Sequence, residues 1–400
     1  MSNLNIIKSI YDKLPYKFKV IISWFFFRFY PHQLKPVNNI SLINHERYTR
    51  NALLSYITAP FRLTSIDPQI FSFSNIGIAS SIVRVLNQLG YLVDVVEYTD
   101  TDFVPKKNYD LFIGHGGFNF QNIANRLSLN CRKIYFSAGP YWKYWNRKEK
   151  ERIDNLNRRK KSDYPYERLD ISEESALNHS EAIIALGNEI VAKSYSKFSR
   201  VYTLNNGVYY DDHFDKTIKD FSQARNNFLF FAGGGNVHKG LDLLIEAFSE
   251  MSSHLFICQL ISPAFYNLYK YELEKTPNIH LIGWIKPRTP SYYEIVDKCA
   301  YLIYPSCADG SPGAVIESML QGLIPIVSKE TTIDTDDFGY TLKNNSIKEI
   351  KKALSVFKNK SEKWYRQASH KTRNISLTKY SEKEFKNNFT KIINHIISVS

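Results

Sequence analysis

Three short segments carry the residue types that could do chemistry, and glycine marks each of them. The chain has 17 glycines in 400 residues, and ten lie at Gly114, Gly116 and Gly117, at Gly233, Gly234, Gly235 and Gly240, and at Gly310, Gly313 and Gly322. Every one of these clusters follows an apolar run that reads as a strand. In an open α/β sheet that is the carboxyl end of the strands, where ligands bind. Glycine there lets the backbone come close to a ligand. A tight strand-to-helix turn explains any single cluster, whereas a ligand crevice explains all three.

The second cluster reads FLFFAGGGNVHKGLDLLIEAF from Phe228 to Phe248. A strand runs into glycines and a helix opens near Lys239. Free amides at a helix start attract phosphate, and Lys239 adds a full positive charge. The segment is neither a Walker A loop, because Gly240 and Leu241 follow Lys239, nor a dinucleotide G-x-G-x-x-G, because His238 and Lys239 occupy the glycine positions. The third cluster reads YPSCADGSPGAVIESMLQGLIPIVS from Tyr304 to Ser328. Asp309 stands in the loop after a strand, Ser311 and Pro312 suit a helix start, and Glu317 follows one to two turns in. Two carboxylates so placed can each accept hydrogen bonds from ligand hydroxyls, which discriminates strongly because an unmatched buried carboxylate is costly. In the first cluster His115 lies between Gly114 and Gly116 at a strand end. It is read either as a structural hydrogen-bonding residue or as a group that polarises a hydroxyl or orients a ligand.

The elements that must position these residues alternate. Strands are expected at 52–59, 91–98, 109–113, 133–137, 182–186 and 201–204, then in a second series at 228–232, 254–259, 280–282, 300–304 and 323–327. Helical stretches lie between them, at 76–89 and 241–251 among others. Such alternation predicts parallel sheets with covered faces, and two series predict two doubly wound domains that part near 205–226. The Lys- and Arg-rich stretch 142–161 reads as a solvated helix or loop, and 381–397 as an amphipathic helix. Asp334, Asp336 and Asp337 read as a solvated loop rather than a metal site.

Composition narrows the classes. Hydrophobic residues make 44% and charged residues 23% of the chain, which excludes general disorder and fibrous architectures. Lys plus Arg is 52 against 39 acids, a net charge of +13 that points to a polyanionic partner: nucleic acid, an anionic membrane or a phosphorylated substrate. No nucleic-acid recognition motif accompanies the charge. The 4 cysteines form no C-x-x-C pair, so reduced thiols in a cytoplasmic protein are expected. KFKVIISWFFFRFY, Lys17 to Tyr30, has an eight-residue apolar run where a spanning helix needs about 20. Its aromatics and flanking cations suit either an interfacial anchor on an anionic membrane surface or a helix packed on the protein itself.

HKGLDLLIEAF and DGSPGAVIESMLQGLIPIVS resemble the donor half of GT-B glycosyltransferases, in particular the large retaining family four. The likeness is specific over 228–340 and rests on element order and GHGG before that. It implies an α/β, GT-B type architecture: two Rossmann-like, doubly wound parallel-sheet domains facing a central cleft. The division is then a basic, aromatic segment 1–45, an acceptor domain 46–206, a nucleotide-sugar donor domain 207–378 and a C-terminal helix 379–400. The resemblance implies that Lys239 contacts the donor diphosphate, that Glu317 holds ribose hydroxyls, and that Asp309 sits by the donor sugar. It implies that His115 faces the cleft, and that loop amides around Gly234, Gly235 and Gly310 with the helix near Ser311 stabilise the leaving group without metal or other cofactor. The implied partners are a nucleotide-diphosphate sugar and a glycan or lipid-linked acceptor in cell-surface polysaccharide synthesis. The implied location is the cytoplasm, with peripheral contact to the membrane's inner face if the anchor reading holds. Asp309 replaces the family's usual Glu, Gly234 stands where an arginine often precedes the K-G pair, and the first glycine loop shrinks to Ser74-Asn75-Ile76-Gly77. These departures leave open a non-catalytic nucleotide-sugar-binding protein or a GT-B-fold epimerase.

Overall fold

The computed structural model of the protein describes residues 35–43, 48–62, 73–357 and 360–399. The candidate anchor 17–30 lies outside these residues.

Two sheets form the frame. The first holds β1 (Val37–Ile40), β2 (Arg50–Tyr56), β3 (Tyr91–Glu97), β4 (Leu111–His115), β5 (Arg132–Ser137), β6 (Ala182–Leu186) and β7 (Val201–Leu204), in the order β1-β3-β2-β4-β5-β6-β7. Only the β1–β3 pair is antiparallel. The second holds β8 (Asn227–Phe231), β9 (His254–Cys258), β10 (Ile279–Leu281), β11 (Tyr301–Tyr304), β12 (Ile324–Ser328) and β13 (Tyr340–Leu342). Its order is β10-β9-β8-β11-β12-β13, and every pair is parallel. Central strands such as AIIAL, YLIY and IPIVS are buried at every residue, as covered faces on both sides demand. The two series of strands agree with the sequence reading. The edge strands β1 and β13 escape it, the first carrying two asparagines and the second being three residues long.

Strand order reverses between β2 and β4 in the first sheet and between β8 and β11 in the second. A crevice opens at the carboxyl ends of the strands wherever order reverses. All three glycine clusters begin at such points, after β4, β8 and β11, although Gly322 lies at the far end of the helix Gly313–Leu320, just before β12.

Two elements cross from one domain to the other. The helix Glu382–Ser398, capped by Ser381, buries Phe385, Phe389, Ile393 and Ile396 in the core of the first domain. The spacing of those four residues follows the helical period and agrees with the amphipathic reading. The helix Trp142–Lys160, inserted between β5 and β6, does the reverse. Its Ile153 and Leu156, with Tyr164 just beyond it, belong to the core of the second domain. This corrects the solvated reading of 142–161. Three of the cations that suggested solvation are partnered across the boundary: Arg159 reaches Asp242 at 2.7 Å and Glu246 at 3.1 Å, Lys160 reaches Glu272 at 2.8 Å, and buried Arg152 donates to the Pro305 carbonyl at 2.9 Å. Residues 142–169 are called the arm below. Asp334 and Asp337 likewise pair with Lys379 and Lys371. Among the described residues no helix is long and apolar enough to cross a membrane.

Candidate active site

Lys239 and Asp309, 70 residues apart, meet where the loops after β8 and β11 converge. Lys239 Nζ donates to Asp309 Oδ2 at 2.5 Å, and the Tyr304 hydroxyl donates to the same oxygen at 3.1 Å. The ammonium lies 5.7 Å from the ring centroids of both Trp145 and Tyr304. The side chains are 6% and 12% exposed, so water neither screens nor replaces this pair. Burial alone would raise the Asp309 carboxyl. The Lys239 charge and hydrogen bond outweigh it and hold the group below the ordinary aspartate value.

Glu317 is also paired. It is buried in the helix Gly313–Leu320, and Arg288 grips it with Nε to Oε1 at 2.6 Å and Nη2 to Oε2 at 3.2 Å. The same guanidinium donates to the carbonyls of Tyr210 at 3.1 Å and Tyr209 at 2.8 Å. Arg288 has φ +61°, a left-handed conformation that costs about 1–3 kcal/mol in a non-glycine residue and survives where its surroundings over-determine it. Sequence reasoning missed Arg288. The available signal was its place in Lys286-Pro287-Arg288-Thr289-Pro290, a basic stretch between prolines just before a helix capped by Thr289.

The two glycine loops of this domain differ. Gly233 and Gly234 are exposed, and a Cβ on either would meet nothing within 4 Å. Gly235, by contrast, has φ +89°, and a Cβ there would stand 2.3 Å from Arg168 Cδ. Gly310 is packed: a Cβ would lie 2.2 Å from the Ala138 carbonyl oxygen and 2.5 Å from Gly139 Cα, both in the first domain. The Gly310 amide donates to Asp309 Oδ1 at 3.1 Å, and that of buried Ser311 to Thr332 Oγ1 at 2.8 Å. Ser311 Oγ accepts from the Asn206 amide at 3.1 Å. The expectation that amides at Gly310 and Ser311 face a leaving group is therefore revised: both are engaged inside the protein.

His115 ends β4, directly opposite Phe136 of β5. Its Nδ1 donates to the Phe136 carbonyl at 2.9 Å, which leaves Nε2 as the acceptor nitrogen. Burial lowers its pKa, so the neutral ring prevails. Tyr56 and Tyr98 pack edge-on with centroids 5.0 and 5.2 Å away. Among the described residues no hydrogen bond joins it to Lys239, Asp309 or Glu317.

The arm forms the remaining wall. His238 is fully buried; its Nε2 donates to the Ala308 carbonyl at 2.8 Å and its Nδ1 lies 2.6 Å from Glu149 Oε2. Trp145 stacks on His238 at 4.4 Å, and Glu167 accepts from the Val237 amide at 2.9 Å. Cys307 Sγ completes a cluster with Glu149 and His238 that could in principle ligate a metal. The 2.6 Å Glu149–His238 separation and the two backbone amides on the other Glu149 oxygen suit a hydrogen-bond network instead.

Comparisons with known proteins agree with this fold. Residues 214–374 match the family described as Glycosyl transferases group 1. No curated protein sequence matches significantly. Among solved structures, sucrose-phosphate synthase from Thermosynechococcus elongatus aligns with a TM-score of 0.58 at 12% identity, over 87% of this chain and 99% of that one. WaaG, a glycosyltransferase involved in lipopolysaccharide biosynthesis, aligns at 0.53 and 12% identity over 85% and 99%. A TarM G117R mutant from S. aureus, in complex with Fondaparinux, alpha-GlcNAc-glycerol and UDP, aligns at 0.51 and 16% identity over 71% and 55%. Residues 214–374 thus match the group 1 glycosyl transferases, within a chain of GT-B fold.

Proposed function

We propose that the protein is a retaining glycosyltransferase that moves a hexosyl group from a nucleotide-diphosphate sugar onto a glycan or lipid-linked glycan acceptor in cell-surface polysaccharide synthesis. The observation that carries this reading is the buried Lys239–Asp309 pair at the foot of an open glycine loop, inside a group 1 glycosyl transferase domain. A diphosphate laid over Gly233 and Gly234 brings its oxygens to Lys239. The ammonium then exchanges part of its bond to Asp309 for the phosphate, and Asp309 is freed toward hydroxyls of the sugar. As the glycosidic bond breaks, charge accumulates on the diphosphate beside a cation already fixed in a dry site. Glu317 serves the ribose hydroxyls, with Arg288 holding its carboxylate in place. His115, neutral and with Nε2 as acceptor, orients a hydroxyl across the cleft.

A panel of nucleotide sugars, assayed for sugar-dependent release of nucleoside diphosphate with and without acceptor, tests the reaction. Proton NMR of the new linkage tests retention. No release with any donor, from protein that binds nucleotide, would leave a binding protein in place of an enzyme. The aromatic and basic stretch Lys17 to Tyr30 supports a peripheral contact with anionic bilayers, which would concentrate a lipid-linked acceptor. Flotation of the full chain and of one starting at Asn38 on anionic vesicles tests that contact. Equal behaviour of the two would remove it.

A further inference from the structure

We propose that Arg168, carried by the arm from the first domain, completes the anion site that Lys239 begins and grips the donor diphosphate from the opposite side. The inference rests on the donor reading above and adds to it a residue that no local motif marks.

Arg168 is held at both ends of its peptide. Its amide donates to Glu149 Oε1 at 2.9 Å and its carbonyl accepts from Trp145 Nε1 at 2.5 Å. Trp145 and Glu149 stand four apart on the helix Trp142–Lys160 and so share one face. From this fixed point the side chain lies across Gly235, where any Cβ would collide with it. Its Nη1 donates to the Gly234 carbonyl at 2.9 Å, and its guanidinium carbon is 5.4 Å from the Trp145 ring centroid. The fork is thus parked at the edge of the loop beside Gly233 and Gly234, the two glycines with open space before them.

Charge points the same way. A guanidinium has five donors, and among the described residues only one of Arg168's is used by the protein. Lys239 has Asp309 as its counter-ion, whereas Arg168 has no ion pair within 4.0 Å among the described residues. The Arg168 charge is close enough to add to the burial that depresses Lys239 and to help hold Asp309 ionised. Lys239 keeps Asp309 as its contact partner, while Arg168 feels the Asp170 carboxyl only at longer range, and a forked guanidinium matches phosphate oxygens in pairs. A diphosphate over the open glycines satisfies both cations and ties the arm to the loop.

The experiment uses the full chain and isothermal titration with UDP, GDP, ADP and CDP, the tightest being carried forward at several salt concentrations. Arg168→Gln keeps a donor for the Gly234 carbonyl and removes the charge. Arg168→Lys keeps the charge and removes the fork. We expect Arg168→Gln to melt with the wild type and to bind about 10–100-fold more weakly, with a flatter salt dependence. Arg168→Lys should recover part of the affinity and most of the salt dependence. Affinity in Arg168→Gln equal to wild type overturns the proposal. So does a weakening with undiminished salt dependence in both variants, which would mark Arg168 as a purely structural tie. If the wild type binds none of the four nucleotides, the donor reading falls, and this inference with it.

Discussion

The loops after β8 and β11 are neighbours in one sheet, and both are rich in glycine, yet they use it for opposite ends. Around Gly233 and Gly234 there is open space. Around Gly310 there is none, because the carbonyls and Cα of the first domain press against it and its amide is already taken. One loop is bare toward open space, and the other is bare where a second domain packs against it. The Lys239–Asp309 pair bridges them, with the cation from the open loop and the acid from the closed one. Glycine content alone therefore does not identify a phosphate cradle; what stands opposite the missing Cβ does.

The pair itself offers the strongest test of that contrast. Lys239→Ala should lower turnover by about 10²–10³, read as sugar-dependent nucleoside diphosphate release. It should also cost stability, because Asp309 becomes a buried charge without a partner, a change typically worth about 3–5 kcal/mol. Combining Lys239→Met with Asp309→Asn should restore the melting temperature without restoring turnover. Recovery of both would mean that the pair only holds the loops together.

Gly310→Ala should cost about 1–3 kcal/mol in chemical denaturation, since the new methyl meets backbone that cannot step aside. A wild-type midpoint for this variant would show that the two domains are less tightly apposed than the closed loop requires.

The open loop is tied to the arm through Glu167, whose carboxyl burial pushes up to about 7 from 4.5. A raised folded-state value means that the stability it contributes is complete below the unfolded value and is lost as pH rises through about 7. Melting temperature should fall from pH 6 to pH 8 by the equivalent of about 1 kcal/mol. Glu167→Gln should flatten that stretch of the profile, and an unchanged slope in the variant would assign the pH response to another group.

The smallest effect on stability belongs to Gly234→Ala. With nothing within 4 Å, its denaturation midpoint should shift by no more than about 0.5 kcal/mol, while nucleotide affinity measured by titration drops. Unchanged affinity would show that ligand does not approach the loop there.

Much of this frame is legible in the chain because it is written locally. Runs such as FLFF and YLIY are apolar at every position and bounded by glycine, so their strands and the crevice at their ends follow directly. Lys239, Asp309 and Glu317 are each marked by their own loop or helix. Their partners are not. Asp309 sits 70 residues from Lys239, Arg288 is 29 from Glu317, and Arg168 is 66 from Gly234. Nothing near any of them signals the other. The arm misleads for a related reason. Ile153 and Leu156 are two apolar residues among many lysines and arginines, and those cations look solvated until the acids of the second domain are placed beside them. The revision at Ser311 has the same root, since Thr332 comes from another segment, whereas the Gly310 amide is taken by its own neighbour Asp309.

The crossing of the arm and the C-terminal helix bears on how the chain is made. Synthesis runs from the amino end, and a first domain ordinarily folds while the second is still emerging. Here the first sheet lacks Phe385, Phe389, Ile393 and Ile396 until the segment after the second domain leaves the ribosome. Meanwhile Ile153 and Leu156 wait, uncovered, for a core not yet translated. Neither half can finish without the other, so the protein should be acquired in one late event whose contacts span most of its length, which is slow by topology. A stop codon before residue 382 would then expose the hydrophobic face of the half synthesised first.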